Sequence, residues 1–128
     1  MKKEEMIGFW IVNAREDWST AELLLQKKKY NYALFFCHLS IEKLFKAYLI
    51  NKNIKPPHTH DLERLLLLAK VNGDDIHRQW LSEITTFSIA ARYDDYKLQF
   101  YRKATSVYAD KWFKRCREIY QWLKEKID

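Results

Sequence analysis

The scarcity of chain breakers most constrains what this chain can fold into, because its 128 residues include only two glycines and two prolines. A sheet protein of this size needs many tight turns, and glycine is the residue that best tolerates their positive φ angles. So few breakers favour a handful of long helices joined by short connections. No repeat or low-complexity tract marks a boundary, so we expect one domain over residues 1–128.

Apolar residues recur at helical spacing along five segments of the chain. The first helix is predicted over about residues 4–27, and the second runs from a capping Asn31 to about residue 51. The second helix carries two apolar stripes, which predicts that it is the central helix. Apolar positions left over on these two helices can pair two copies of the domain, so we expect a homodimer.

The middle of the chain predicts two further helices. The prolines at 56 and 57 indicate an extended connection, after which a short third helix starts at Thr59 or Asp61. Asn72–Gly73 is the predicted left-handed end of that helix, and Asp74 is the predicted cap of the fourth. The predicted inward face of the fourth helix consists of Ile76, Trp80, Ile84, Phe87 and Ala91.

Residues 92–102 lack a clean apolar period and are predicted to form a loop or an irregular turn. The last helix, over about residues 104–127, has the cleanest apolar stripe of the chain. Short connections make neighbouring helices antiparallel. The predicted fold class is therefore all-α, an up-and-down bundle of four long helices plus one short helix.

Charge and cysteine usage narrow the functional classes. The net charge is +6, and residues 97–128 hold nine Lys and Arg against four acids, which suits a nucleic-acid or phosphate partner or a merely solvated face. No segment approaches the roughly 18 uninterrupted apolar residues of a membrane span. The N-terminus carries acids and leads straight into amphipathic sequence, unlike a signal peptide. Cys37 and Cys116 both lie on apolar stripes, which indicates free core thiols and a cytoplasmic protein.

Two polar clusters precede the fourth helix. Glu42 and Lys46 are four residues apart with the acid first, the favourable order for a helical ion pair, or Lys46 binds phosphate beside a groove. His58, His60 and Asp61 suggest a metal site, but no further ligand lies at the usual spacing. A histidine at a helix start that braces the bundle or faces a bound phosphate explains this cluster better.

Two more polar clusters follow the fourth helix. Arg92 and Asp95 stand among the tyrosines Tyr93 and Tyr96, where Arg can bind phosphate and Tyr can stack on a base. The alternative is a brace at the helix end. The outer face of the last helix carries Lys111, Lys114, Arg115 and Arg117. No glycine-rich phosphate loop, Ser–His–Asp set or activated cysteine is present, so we predict no catalytic residue, cofactor or metal.

These clusters occur in an order that resembles the HEPN family of small helical domains. A Trp-bearing first helix is followed by residues 41–47 (IEKLFKA), then 58–62 (HTHDL), and finally 92–95 (RYDD). The resemblance implies a bundle of four main helices, commonly a homodimer. It also implies frequent partnership with a minimal nucleotidyltransferase in toxin–antitoxin modules.

The resemblance further implies that many relatives are metal-independent RNases, which use an Arg followed after four to six residues by a His. In this chain Arg92 is followed through Gln99 by no histidine, so the group that would act as acid and base is missing. A non-catalytic nucleotide- or RNA-binding protein fits better than an endoribonuclease toxin, and a purely structural adaptor is the other alternative.

The predicted site is one groove that pairs cations for phosphate with rings for a base. Lys46 lies near the end of the central helix, shortly before His60, and the fourth helix delivers its end to the same pole of an antiparallel bundle. The residues predicted to line the groove are Lys46, His60, Arg92, Tyr93 and Tyr96, with Asp61 and Asp95 orienting the cations.

Overall fold

The computed structural model describes residues 2–71 and 75–127, and within those ranges the chain forms six helices and no strand. The helices are α1 (Lys3–Gln26), α2 (Tyr30–Asn51), α3 (Leu62–Ala69), α4 (Asp75–Arg92), α5 (Asp94–Lys103) and α6 (Ser106–Ile127). The predicted all-α class is confirmed, with four long helices as expected. Two short helices accompany them rather than one. None of the helices described here combines the length and the apolarity that crossing a membrane requires.

Helix α2 is the centre of the bundle, as its two apolar stripes predicted, because it contacts each of the other five helices. Thirteen of its 22 residues are buried, whereas in α1 only Ala14 and Ala21 are buried. Polar contacts join the two helices. The Ser40 hydroxyl donates to the Ala14 carbonyl at 2.7 Å, and Lys43 pairs with Asp17 at 2.6 Å. Helix α2 therefore carries buried polar side chains as well as apolar ones.

The turns of the bundle use left-handed residues other than glycine. Lys28 has φ 60° after α1, and Asn53 has φ 61° after α2. At the end of α1 the Lys29 amide donates to the Leu24 carbonyl at 2.8 Å and the Lys28 amide to the Leu25 carbonyl at 3.0 Å. These two bonds satisfy carbonyls that a helix end leaves open, at a cost of about 1 kcal/mol for the left-handed residue. Short loops with almost no glycine follow from this geometry.

Of the predicted helix caps at Asp61 and Asn31, only the first is confirmed. Asp61 caps α3, with its side chain accepting from the amides of Glu63 and Arg64. Asn31 does not cap α2, because α2 begins at Tyr30 and the preceding residue has no side-chain capping bond. The tight turn after α1 brings the chain into helical geometry one residue early, so Asn31 lies inside the first turn.

The end of α3 and the start of α4 also differ from the expectation. Helix α3 ends at Ala69, with Lys70 in the left-handed conformation at φ 53°, so it ends before the predicted Asn72–Gly73 stop. That stop, the predicted cap Asp74 and the side chain of Ile76 lie outside the described residues. On the inward face of α4, Ile84 and Phe87 are buried as predicted.

The prediction of a loop over residues 92–102 was wrong, because Asp94–Lys103 is helix α5. Only Phe100 of this helix is buried, so it shows no apolar stripe that a period could reveal. Its charges favour the helix instead. Asp94 and Asp95 lie in the first turn, and Arg102 and Lys103 lie in the last turn, which is the arrangement that the helix dipole stabilises.

Candidate functional site

Three polar side chains follow one another along a single face of α2. His38, Glu42 and Lys46 are spaced four residues apart, which places them on successive turns of the helix. Glu42 is only 4% exposed and His38 is fully buried. An ionised carboxylate at that depth is costly unless hydrogen bonds compensate it, so its partners define this site.

Glu42 binds two donor side chains from different parts of the chain. Its Oε1 lies 2.7 Å from His60 Nδ1, and its Oε2 accepts from Lys46 Nζ at 3.0 Å. Burial alone would raise the pKa of the Glu42 carboxyl, but the bonds from His60 and Lys46 outweigh it, so the pKa lies below its ordinary value. Glu42 therefore holds Lys46 and the loop histidine in place as an ionised group.

The ionised state of Glu42 decides the tautomer of His60. A carboxylate only accepts hydrogen bonds, so Nδ1 of His60 carries the proton. The His60 side chain is 50% exposed, and within residues 2–71 and 75–127 its Nε2 has no hydrogen-bond partner. This ring nitrogen is therefore available to bind a phosphate or to exchange a proton.

His38 holds the backbone of the loop that carries His60. Its Nε2 lies 2.9 Å from the backbone carbonyl of His60 and donates to it. Burial lowers the pKa of His38 to about 4, so the ring is neutral at physiological pH. Its Nδ1 lies 3.9 Å from Glu42 Oε1 and makes no hydrogen bond with any described group. His38 and Glu42 together fix both the backbone and the ring of His60.

We refer to His38, Glu42 and Lys46 as the polar row on α2, and an aromatic ring lies beneath a cation at each of its ends. Lys46 Nζ lies 5.1 Å from the Trp10 ring centroid, and the Arg92 guanidinium lies 5.6 Å from that of Phe35. Arg92 is also anchored by Nε, which donates to the Ser88 hydroxyl at 2.9 Å. Its charge is close enough to help keep the His38 pKa low. The polar row on α2 is therefore flanked by Arg92 at one end, ends in Lys46 at the other, and has the loop residue His60 beside its middle.

The structure brings some of the predicted site residues together and separates others. Lys46 and His60 share Glu42, and Arg92 lies near His38 at one end of the polar row on α2. Tyr96 instead lines a hollow of about 350 Å³ between α4 and α5. Tyr93 directly precedes α5 and is 59% exposed.

The two aspartates do not orient the cations as predicted. Asp61 is occupied as the cap of α3, where it accepts two backbone amides. Asp95 lies exposed in the first turn of α5, and none of the cations that the structure describes pairs with it. Glu42 performs that role. The sequence prediction used only the spacing of Glu42 to Lys46. It left out His38, which lies four residues before Glu42 on the same face of the helix.

A second carboxylate cluster connects three helices elsewhere in the bundle. Glu83 of α4 accepts from the Tyr108 hydroxyl of α6 at 2.6 Å and pairs with Lys103 of α5 at 2.9 Å. Burial raises the pKa of the Tyr108 hydroxyl, and the adjacent Glu83 raises it further. Across the described parts of the chain, no three His, Cys, Asp or Glu side chains form a group that could hold a metal ion.

The fold is similar to two crystal structures. A protein from Thermus thermophilus superposes with a TM-score of 0.81 at 19% identity, over 94% of this chain and 97% of that one. An archaeal HEPN homologue superposes with a TM-score of 0.77 at 22% identity, over 95% of this chain and 98% of that one. At these identities the likeness concerns the fold alone. No curated protein matches the chain.

The family model of the HEPN domain matches residues 7–127, which includes all of α2 to α6 and most of α1. That range contains every residue of the polar row on α2, the His60 loop and Arg92. The order of motifs along the sequence, the six-helix bundle and this match agree: the chain belongs to the HEPN domain family.

Proposed function

We propose that this chain is a nucleotide- or RNA-binding HEPN protein that does not cleave RNA. The observation that carries the proposal is the buried Glu42 carboxylate, which holds Lys46 and His60 beside each other with Arg92 at the far end of the row. Lys46 and Arg92 bring two positive charges against the single negative charge of Glu42. The surplus is positive, as an anionic ligand requires.

Exposure and ring placement support a phosphate-bearing ligand. The His60 ring is half exposed and Arg92 is exposed, so both can reach a ligand without a rearrangement of the core. The Trp10 and Phe35 rings lie beneath Lys46 and Arg92 and can contact a base or a sugar beside the phosphates. We infer that the unliganded site is open and hydrated, because Lys46 and Arg92 carry one more charge than the carboxylate of Glu42 can balance, and unbalanced charge is costly to bury.

The wider setting of the proposal comes from the family. We infer a cytoplasmic homodimer that pairs with a nucleotidyltransferase in a toxin–antitoxin module. The exposed apolar side chains Phe9, Val12 and Leu23 of α1 support a contact between two copies. Size-exclusion chromatography with light scattering tests the dimer, and a clean monomer at micromolar concentration would contradict it.

The test of the binding site is calorimetric titration with ATP, other nucleotides and a short RNA. We expect Arg92→Ala combined with Lys46→Ala to weaken binding at least tenfold, since each lost charge-assisted contact contributes about 1.5 kcal/mol or more. Lys111→Ala with Lys114→Ala removes two exposed charges from α6 and serves as the control. The proposal fails if the wild type binds none of the probes or if the double variant binds equally well. A large drop in melting temperature of that variant would instead favour a structural brace.

A second candidate function is cleavage of RNA, and one observation favours it. Glu42 holds the Nδ1 proton of His60, which leaves Nε2 as an exposed group that could act as a general base with Arg92 nearby. This His–Glu pair would replace the histidine that the family motif lacks. Incubation of purified protein with tRNA and mRNA decides between the two functions. Cleavage that disappears in His60→Gln would establish the nuclease and contradict our first proposal.

A further inference from the structure

A second cationic surface lies at the other end of α2, where α1 turns into α2 and α5 ends. A hollow of about 580 Å³ there is lined by the cations Lys28, Lys29 and Arg102 and by the rings of Tyr30, Tyr32 and Tyr101. No acidic side chain is among the described residues that line it. We refer to it as the α1–α2 hollow.

The positive charge of the α1–α2 hollow is not neutralised locally. Lys28, Lys29 and Arg102 form no ion pair with any acid that the structure describes. Elsewhere in the bundle, Lys43, Lys46 and Lys103 each pair with a carboxylate. Three uncompensated cations around one concave surface attract polyanions.

Two of the rings in the hollow are open to solvent. Tyr32 is 57% exposed and Tyr101 is 65% exposed, whereas Tyr30 is partly buried against the core. Exposed aromatic faces among cations are the arrangement that proteins use to bind single strands, with phosphates on the cations and bases stacked on the rings. An acidic peptide would satisfy the cations but would leave these rings without a partner.

The α1–α2 hollow adjoins a second hollow near Arg92, because Tyr32 lines both of them. Tyr32 also lines a narrower hollow of about 170 Å³, together with Phe35 and Lys97. Phe35 in turn lies beneath the Arg92 guanidinium. The helical rise of about 1.5 Å per residue places Lys46 roughly 21 Å from Tyr32 along α2. That span matches about six stacked nucleotides at roughly 3.4 Å each.

We infer that the α1–α2 hollow binds the backbone and bases of a single-stranded nucleic acid, so that one strand runs from Lys28 and Arg102 past Tyr32 and Arg92 to Lys46. The far end of this path rests on the proposed function. The hollow itself does not, because its cations and rings are separate from the row on α2. The ligand is then an oligonucleotide rather than a mononucleotide.

The test is fluorescence anisotropy with a 12-nucleotide single strand, as RNA and as DNA of the same sequence, against AMP as competitor. We expect the oligonucleotide to bind at least tenfold more tightly than AMP, and the two strands show which sugar is preferred. Lys28→Ala with Lys29→Ala should weaken oligonucleotide binding at least tenfold. It should also reduce the slope of log affinity against log salt by about 1.4, at roughly 0.7 for each lost phosphate contact. Tyr101→Leu should weaken binding about five- to a hundredfold with the slope unchanged.

The matched control is Lys111→Ala with Lys114→Ala, which removes the same charge from the outer face of α6 and should leave the salt slope unchanged. The inference is overturned if this control weakens binding as much as the Lys28 and Lys29 variant, or if a poly-glutamate peptide binds as tightly as the strand. AMP binding without tighter oligonucleotide binding would overturn the inference and leave the proposed function standing. Oligonucleotide binding that needs Lys28 but not Arg92 or Lys46 would leave binding in the α1–α2 hollow standing and would overturn the proposed site on α2.

Discussion

Glu42 on α2 and Glu83 on α4 each bind two donor side chains, but they differ in what surrounds them. The Glu42 side chain is 5% exposed, and its partners are Lys46 on the same helix and a loop histidine that is half exposed. The Glu83 side chain is 28% exposed, and its partners come from α5 and α6.

The difference between the two clusters distinguishes a structural contact from a candidate functional site. Glu83 connects three helices, and the hydroxyl of its partner Tyr108 donates its hydrogen bond to that carboxylate. The packing of the helices therefore explains the whole cluster. The ion pairs of Glu42 within the described residues join α2 to a loop and to no other helix, and its partner His60 keeps a ring nitrogen available. A buried charge that supports an exposed group is typical of functional sites.

The largest expected effect comes from removing the buried carboxylate. Glu42→Ala should lower the free energy of unfolding by about 3 kcal/mol, because Lys46 and His60 lose a buried counter-charge. Glu83→Ala should cost about 1 kcal/mol, since water can reach the groups that it leaves unpaired. Urea denaturation measures both. Equal losses would mean that the Glu42 cluster is no more deeply embedded than the Glu83 cluster.

The two clusters should also differ in their response to pH, because only the first contains a buried histidine. The pKa of His38 is about 4 in the fold and 6.5 in the unfolded chain. The unfolded chain therefore binds the extra proton between these values, and the fold loses up to about 3 kcal/mol as pH falls from 6.5 to 4. Denaturation midpoints across this window test the effect. His38→Gln keeps a donor for the His60 carbonyl but cannot titrate, so an undiminished slope in this variant would refute the assignment.

The smallest expected effect concerns the loop that carries His60. Asp61→Ala should destabilise the fold by about 1 kcal/mol through loss of the α3 cap. Nucleotide binding should stay within about twofold of the wild type, because Glu42 and not Asp61 orients the cations. Melting temperature and calorimetric titration measure the two parts separately. A tenfold loss of binding with little loss of stability would instead show that Asp61 belongs to the binding site.

Local patterns were enough to predict the all-α class, the central position of α2 and the cap at Asp61. They also predicted that Lys46 and His60 come close, because only a short proline-containing connection separates the end of α2 from the histidine. Each of these predictions depends on residues near one another in the chain. Apolar spacing and capping chemistry are properties of such local stretches.

Only the tertiary structure showed that Glu42 is buried and that α5 is a helix. The spacing of Glu42 and Lys46 is the same for an exposed ion pair and a buried one, and the choice is made by the helices and the loop packed around α2. Helix α5 buries a single side chain, so its period is invisible in the sequence. Burial depends on neighbours that are distant in the chain, whereas the apolar period of a helix and its capping residues can be identified from consecutive residues.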